Sequence, residues 1–390
     1  MEFFRNPSFD FLGKKWYFAA LSIAAVVGSL ALLATKGLTY GIDFRGGADV
    51  VLRFREEPAI DQIRSALSSQ GMGGAQIQAQ RLPEDPTAHD ILIRVPPAKG
   101  ASEDVQEEQG DISGRVLSAL RAGLKGQSGG ARKLDLNIAG SSEIRKELIV
   151  AFPNQESMAV GAAEAIAGYR NTHGGILKDV EEARQVPGVS PEAAAWLRDN
   201  AMAGGFAIRS VDYVGPSVGK ELKTRALYAI LGSLVAMLAY IWFRFEKFAF
   251  GISAIITLAH DAIIALGAVS LAGKEFDLTV LAAVLTIVGF SINDTIVIFD
   301  RVRENIRHHK GENLERLFNN SINQTLGRTI LTTFLVLMVV LTLWVFGGSR
   351  LNPFSFTLLI GVISGSYSTI YVSSPIVIWW RTLVEKKTTA

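Results

Sequence analysis

The chain has 390 residues, of which 49% are hydrophobic and only 19% charged, against roughly a quarter charged in soluble domains. This shortage of surface charge, with a mean hydropathy of +0.27, points to the membrane. There is no cysteine, which excludes disulfides, zinc–thiolate centres and cysteine nucleophiles, and the net charge of +2 carries no signal for nucleic acid.

A helix needs about 20 mostly apolar residues to cross the hydrocarbon. The first such run is about Trp16 to Ala34. It has two readings: a secretory signal peptide cut near Leu30-Ala31-Leu32-Leu33-Ala34, or a retained span. Signal cores are typically shorter, so its length favours retention.

A polar segment from about Lys36 to Arg225 follows. In Ala48–Arg55, Val50, Leu52 and Phe54 alternate with Val51, Arg53 and Arg55, the pattern of a half-buried strand. Ile60, Ile63 and Leu67 have helical spacing, and Ala75–Leu82 and His89–Val95 read as two more strands. The order β-α-β-β predicts an α+β, ferredoxin-like domain with helices on one sheet face. Pro97–Gly110 reads as a flexible acidic loop, Ile112–Leu124 as a helix and Gly126–Gly130 as a linker. A strand at Lys133–Ile138 and helices at Ser141–Phe152 and Gln155–Arg170 come next. Pro187-Gly188-Val189 before the helix Pro191–Asn200 has the look of a helix-hairpin-helix, but a single copy without a basic face reads as a packing turn. A strand at Phe206–Val211 closes the domain, and Pro216 suits the first turn of a helix. His89 and His173 are isolated. With no Ser/His/Asp set, metal-ligand cluster or phosphate loop in the domain, the expectation is a protein that is not an enzyme and has no metal or cofactor.

Five further apolar runs follow, at about Ala226–Phe243, Phe248–Leu271, Leu278–Phe299, Thr329–Phe346 and Phe354–Trp380. The whole is predicted to be a polytopic six-helix bundle with the α+β domain between its first and second helices. Arg5, Lys14, Lys15, Arg244, Lys247, Arg301, Arg303, Arg307, Lys310, Arg316, Arg381, Lys386 and Lys387 flank one side, and only Lys274 and Arg350 the other. By the positive-inside rule both termini face the cytoplasm and the large domain is outside, in a periplasm or its equivalent.

Ionisable residues inside a span are costly and mark a pathway or a pair. Asp294 lies well inside the fourth run, with Ser291, Asn293 and Thr295 beside it and Gly289 expected to admit a close helix. Arg328 begins the fifth run at about the same depth, within reach of that carboxylate. A hydrogen-bond anchor and an interfacial arginine are the structural alternatives. His260 and Asp261, near the centre of the third run, read equally as a relay or as a contact holding the bundle together. Desolvation favours a neutral carboxyl and a neighbouring cation a charged one, so an acid that alternates between the two loads and releases a proton. Asp300, Arg301, Arg303 and Glu304 read as the interfacial end of the helix.

Several segments resemble a known family. They are Gly41-Ile42-Asp43-Phe44-Arg45-Gly46-Gly47, Val214-Gly215-Pro216 with Gly219, Val288-Gly289-Phe290-Ser291-Ile292-Asn293-Asp294-Thr295 running on to Asp300-Arg301, and Asn320-Ser321-Ile322-Asn323-Gln324-Thr325 before Arg328. Together they are similar to SecF, which joins SecD in the bacterial accessory complex of protein export. The resemblance implies the fold of the resistance-nodulation-division superfamily, and pairing with SecD into a twelve-helix unit. It also implies contact with the SecYEG channel, with YajC and with translocating preprotein, in the inner membrane. It implies proton-motive-force-driven motion of the outside domains, with Asp294 carrying the proton, Arg328 as its partner, and Asn293 and Thr295 in the same signature. Sodium remains open as the coupling ion. Asp43, Arg45, Gly46 and Gly47 form its junction motif, with a coupling or structural role. SecF outside domains are usually shorter, and the segment from about Ala98 to Gly205 is not accounted for. A small-molecule exporter subunit and a scaffold without a proton step are the competing functions.

Overall fold

The computed structural model describes residues 7–82, 85–97, 105–124, 133–245, 248–309 and 311–388. It divides into two compact units, Met1–Phe44 with Glu221–Ala390, and Arg45–Lys220. In chain order, α1 (Lys15–Thr35) leads through β1 (Thr39–Tyr40) and α2 (Ile42–Arg45) to β2 (Gly47–Phe54), α3 (Ile60–Ser69), β3 (Gln76–Leu82), β4 (Asp85–Val95) and α4 (Val105–Gly123). Then come β5 (Leu134–Asp135), α5 (Ser141–Ala151), α6 (Glu156–Thr172), α7 (Val180–Arg184), α8 (Pro191–Asn200), β6 (Ala201–Met202) and β7 (Phe206–Val214). The rest is α9 (Pro216–Phe245), α10 (Phe248–Leu271), β8 (Glu275–Phe276), α11 (Leu278–His308), α12 (Leu314–Phe346) and α13 (Gly348–Ser368). A π turn, Thr369–Ser373, joins α13 to α14 (Ser374–Thr388).

The α+β unit is built on an antiparallel sheet of order β3-β4-β2-β7. Alternation along β2 sends Ala48, Val50, Leu52 and Phe54 into one apolar core, as the two-residue period requires. Val50 pairs with Ile93 and Leu52 with Ile91 across β4, and the Phe54 ring meets Phe206 of β7 at 5.4 Å. α3 covers this face with Ile63, Ala66 and Leu67, and α4 with Ile112, Val116, Ala119 and Leu120. Gly123 lets α4 approach α3, since a Cβ there would lie 3.0 Å from the Ala66 Cα. The chain order is therefore β-α-β-β-α-β, with α4 as the second helix of the sheet.

α4 starts at Val105, inside the expected loop, because Val-Gln-Glu-Glu-Gln has good helix formers but no apolar period. The rest of that loop from Ala98, and the Gly126–Gly130 linker, lie outside the described residues. The segment 98–205 thus divides: α4 belongs to the sheet's core, while α5, α6, α7 and α8 enclose a second one around Leu136, Ile144, Leu148, Ala162, Ile166 and Leu197. The expected strand Lys133–Ile138 shrinks to β5, which pairs with β6 in parallel. The chain turns at Asn137, a fully buried amide that donates to Leu177 O and Gly204 O and accepts from Leu177 N. The second core reaches the outward face of β2 through polar contacts. Arg53, buried and paired to Asp90 at 2.7 Å, donates to Gly174 O, and Arg55 donates to Ala203 O and Gly204 O. At the Pro187-Gly188-Val189 turn, Gly188 has φ +103° and sits against Ala165 of α6, while Arg184 donates to Ala194 O at 2.9 Å.

Among the described residues, six helical segments are long and apolar enough to cross a membrane: Leu12–Thr35, Pro216–Ile241, Ala249–Leu271, Leu278–His308, Leu314–Phe346 and Arg350–Thr382. The last is α13, the π turn and α14 together. α13 packs against α10, α11 and α12. The third, fourth and sixth segments bury 50 to 56% of their apolar stretch inside the protein, the first, second and fifth only 11%. Gly289 faces open space rather than a neighbouring helix. Close approach occurs instead at Gly267, where a Cβ would lie 2.8 Å from the Ser29 Cα of α1, and at Gly365, 3.2 Å from the Ser291 Cβ. At the π turn, Thr369 donates to Gly365 O and Ser373 to Thr369 O. Such back-bonding loosens the regular ladder.

Candidate functional site

Asp294 projects from α11 into the bundle and is 2% exposed. Its Oδ2 is buried with no hydrogen-bond partner, an arrangement that costs several kcal/mol for a charged carboxylate. Beside it, Thr295 donates to Ser291 O at 3.0 Å and lies 3.4 Å from the Thr369 hydroxyl at the start of the π turn. On α12, the hydroxyls of Thr329 and Thr333 are likewise buried and unpartnered. Arg328 is exposed and, among the described residues, makes no ion pair. Asp294 likewise makes no ion pair among the described residues.

Asp261 is the opposite case. It is fully buried, and Oδ1 accepts from Ser364 (2.7 Å) and His260 Nδ1 (3.0 Å), Oδ2 from Ser291 (2.6 Å) and Ser368 (2.8 Å). Four donors fill the acceptor sites of its two oxygens. They come from α10, α11 and α13, so this one side chain ties three helices. Ser291 lies one turn before Asp294 on α11, which puts the two carboxylates on a shared polar seam. His260 stacks on Tyr367 (6.4 Å), whose hydroxyl donates to Phe18 O of α1, and its Nε2 is buried without a partner.

At the other end of α11, the helix starts under two carboxylates. Asp277 accepts from Val280 N at 2.8 Å as the local cap. Asp43 Oδ2 accepts from Leu278 N at 3.0 Å, from a distant part of the chain. β1 pairs with β8, Gly41 N donates to Phe276 O, and the Phe44 and Phe276 rings stack at 5.5 Å. Gly46 and Gly47 have φ of +73° and +116°, and a Cβ on Gly47 would lie 2.5 Å from Val95 O, so neither position admits a side chain without strain. The Arg45 side chain is exposed.

The family described as protein export membrane protein SecD/SecF, C-terminal, matches residues 197–383, and the SecD/SecF GG motif matches residues 31–57. A curated protein translocase subunit SecF from Koribacter versatilis is 39% identical over 98% of this chain and 94% of its own length. The chain belongs to the SecF family. A second SecF, from Desulfurispirillum indicum, is 36% identical over 95% of this chain and 91% of its own. The crystal structure of SecDF, a translocon-associated membrane protein from Thermus thermophilus, superposes with a TM-score of 0.65 at 27% identity. It covers 97% of this chain, which spans only 39% of that longer chain.

Of the residues expected at the site, this SecF-family chain buries Asp294 and Thr295 together and gathers His260 and Asp261 one turn away. Asn293 points outward and is exposed. Arg328 is exposed and makes no ion pair with the carboxylate. Reasoning from the sequence placed Ser291 beside Asp294 rather than on Asp261, and missed Ser364, Ser368 and the seat of Asp43 on α11. Ser364 and Ser368 are four apart, a helical spacing that puts both hydroxyls on one face, but nothing local says which acid they meet.

Proposed function

We propose that this chain is an accessory subunit of the Sec protein-export machinery that couples proton passage at Asp294 to motion of its α+β unit. The observation that carries the reading is Asp294 itself: a carboxylate buried in the bundle, with one oxygen unsatisfied, inside the Ile-Asn-Asp-Thr signature. A buried carboxyl with an open oxygen can take a proton there, and a cation that approaches can take the proton's place. Arg328, exposed on α12 and without an ion pair among the described residues, is the cation proposed to come and go. Rocking of the bundle would move the pair between these arrangements, and one charge crossing the membrane field carries about 2.3 kcal/mol per 100 mV.

The proposed partner is a SecD subunit, with the SecYEG channel, YajC and the preprotein beyond it. Exposed Arg328 and Asn293 in otherwise apolar spans support a second half that covers them, because polar groups facing lipid are costly. The α+β unit is read as ferredoxin-like, from its β-α-β-β-α-β order and its β3-β4-β2-β7 sheet. It is assigned to the periplasmic side of the inner membrane and both termini to the cytoplasm, on the distribution of Lys and Arg. Asp294→Asn should leave the complex assembled and remove potential-dependent stimulation of export in inverted vesicles. Undiminished stimulation by that variant would leave a scaffold with no transducing step.

A further inference from the structure

A helix 31 residues long needs one local cap, and α11 has it in Asp277. The second carboxylate on its first turn comes from the junction segment after α1. Asp43 accepts the otherwise orphaned N–H of Leu278, a donor that the helix itself cannot satisfy. A charged acceptor at the positive end of a long helix makes one of the stronger hydrogen bonds available. The contact does not stand alone. β1 is zipped to β8, and Gly41 is pressed so closely on Asp277 that a Cβ would lie 3.0 Å from the Asp277 Cβ. Phe44 stacks on Phe276.

We propose that Asp43 is the positioning residue through which α11 drives the α+β unit. The inference rests on the reading of Asp294 given above and says where its output leaves the bundle. Asp294 lies about 24 Å along α11 from Leu278 at 1.5 Å per residue. The helix between them contains no proline and no π turn, whereas the sixth span breaks at Thr369, beside Thr295. A shift of α11 that accompanies loading of Asp294 is therefore passed down an unbroken rod to its first turn, while the neighbouring helix yields. Asp43 is held there, and only Phe44, Arg45 and the positive-φ glycine Gly46 separate it in the chain from the first residue of β2, Gly47.

The test uses the full chain in its export complex, reconstituted in vesicles, with ion flux and export stimulation measured on the same preparation. Asp294→Asn should lose both. Asp43→Ala should keep flux within about threefold of wild type and lose about tenfold or more of the stimulation, the scale of one charge-assisted hydrogen bond. Asp43→Asn, which keeps an acceptor oxygen, should restore most of it. Leu278→Pro deletes the same hydrogen bond from the donor side at a helix position that tolerates proline, and should show the same split. Stimulation unchanged in Asp43→Ala or in Leu278→Pro overturns the proposal, as does a parallel fall of flux and stimulation with the complex intact. If Asp294→Asn keeps both activities, the reading of Asp294 fails instead.

Discussion

Asp261 accepts four hydrogen bonds and Asp294 has an oxygen with none, although both carboxylates are buried in the same bundle. The difference separates their roles. A saturated carboxylate holds helices together; one with an open oxygen is left able to take a further donor. A third buried acid, Asp135 in the helical insertion, lies between them. Its Oδ1 accepts from the Asn137 and Gly204 amides, both at 3.0 Å. Burial nevertheless pushes its carboxyl above the ordinary 3.8, against the pull of those amides and of Arg121 and Arg170. The folded state thus holds this proton more tightly than the unfolded chain. The stability of the insertion should be greatest below about pH 3.8 as far as this group is concerned, and should fall as pH rises from there through the folded value. Asp135→Asn should remove that slope while keeping an acceptor for the two amides. Hydrogen exchange of the Leu136–Ala139 amides across pH 4 to 7 reads it; an equal slope in the variant would assign it to other groups.

At the scale of elements, how close two helices come is decided by individual glycines. Gly361 of α13 lies on Ile287 of α11, which is fully buried and cannot swing away, and a Cβ there would overlap the isoleucine side chain. Gly361→Ala should cost about 1–3 kcal/mol, the usual penalty of overpacking. Gly289, which has open space around it, should behave oppositely: Gly289→Ala gains about 0.5–1 kcal/mol from helix propensity. Thermal unfolding in detergent should move down for the first and up for the second; a fall for both would mean that α11 needs flexibility at Gly289. These two positions also show what the sequence reveals. Apolar length marks the spans, and alternation in Ala48–Arg55 marks β2, because both are local patterns. Asp294 is legible for the same reason, as an acid in an apolar run. The partner of a glycine, the cage around Asp261 and the separation of Arg328 from Asp294 depend on which helix faces meet, and no local pattern encodes that. α4 was half legible: its apolar stripe shows from Ile112, while its polar first turns resemble a loop.

For the whole molecule, the two apolar cores of the α+β unit bear on what the insertion contributes. The sheet core is closed by α3 and α4 without any help from α5 to α8, apart from Ile138 at its edge. What joins the cores is polar: Arg53 to Gly174 O, and Arg55 to Ala203 O and Gly204 O. If those bonds are lost, Arg53 still has Asp90, held through Nε at 2.7 Å and Nη2 at 3.0 Å, and Arg209 still reaches Asp90 at 3.0 Å. The charges on the outer sheet face are thus paired within the sheet and stay satisfied when uncovered. Replacing residues 133–204 with a short Gly-Ser linker should therefore leave the sheet folded, at a cost of about 1–3 kcal/mol for the lost hydrogen bonds, partly offset by a shorter loop to close. Hydrogen exchange on β2 and β4 in the full-length protein is the measurement, and their amides should keep most of their protection. Loss of protection along β2 would mean that the insertion completes the sheet rather than decorating it, and that the two cores fold as one.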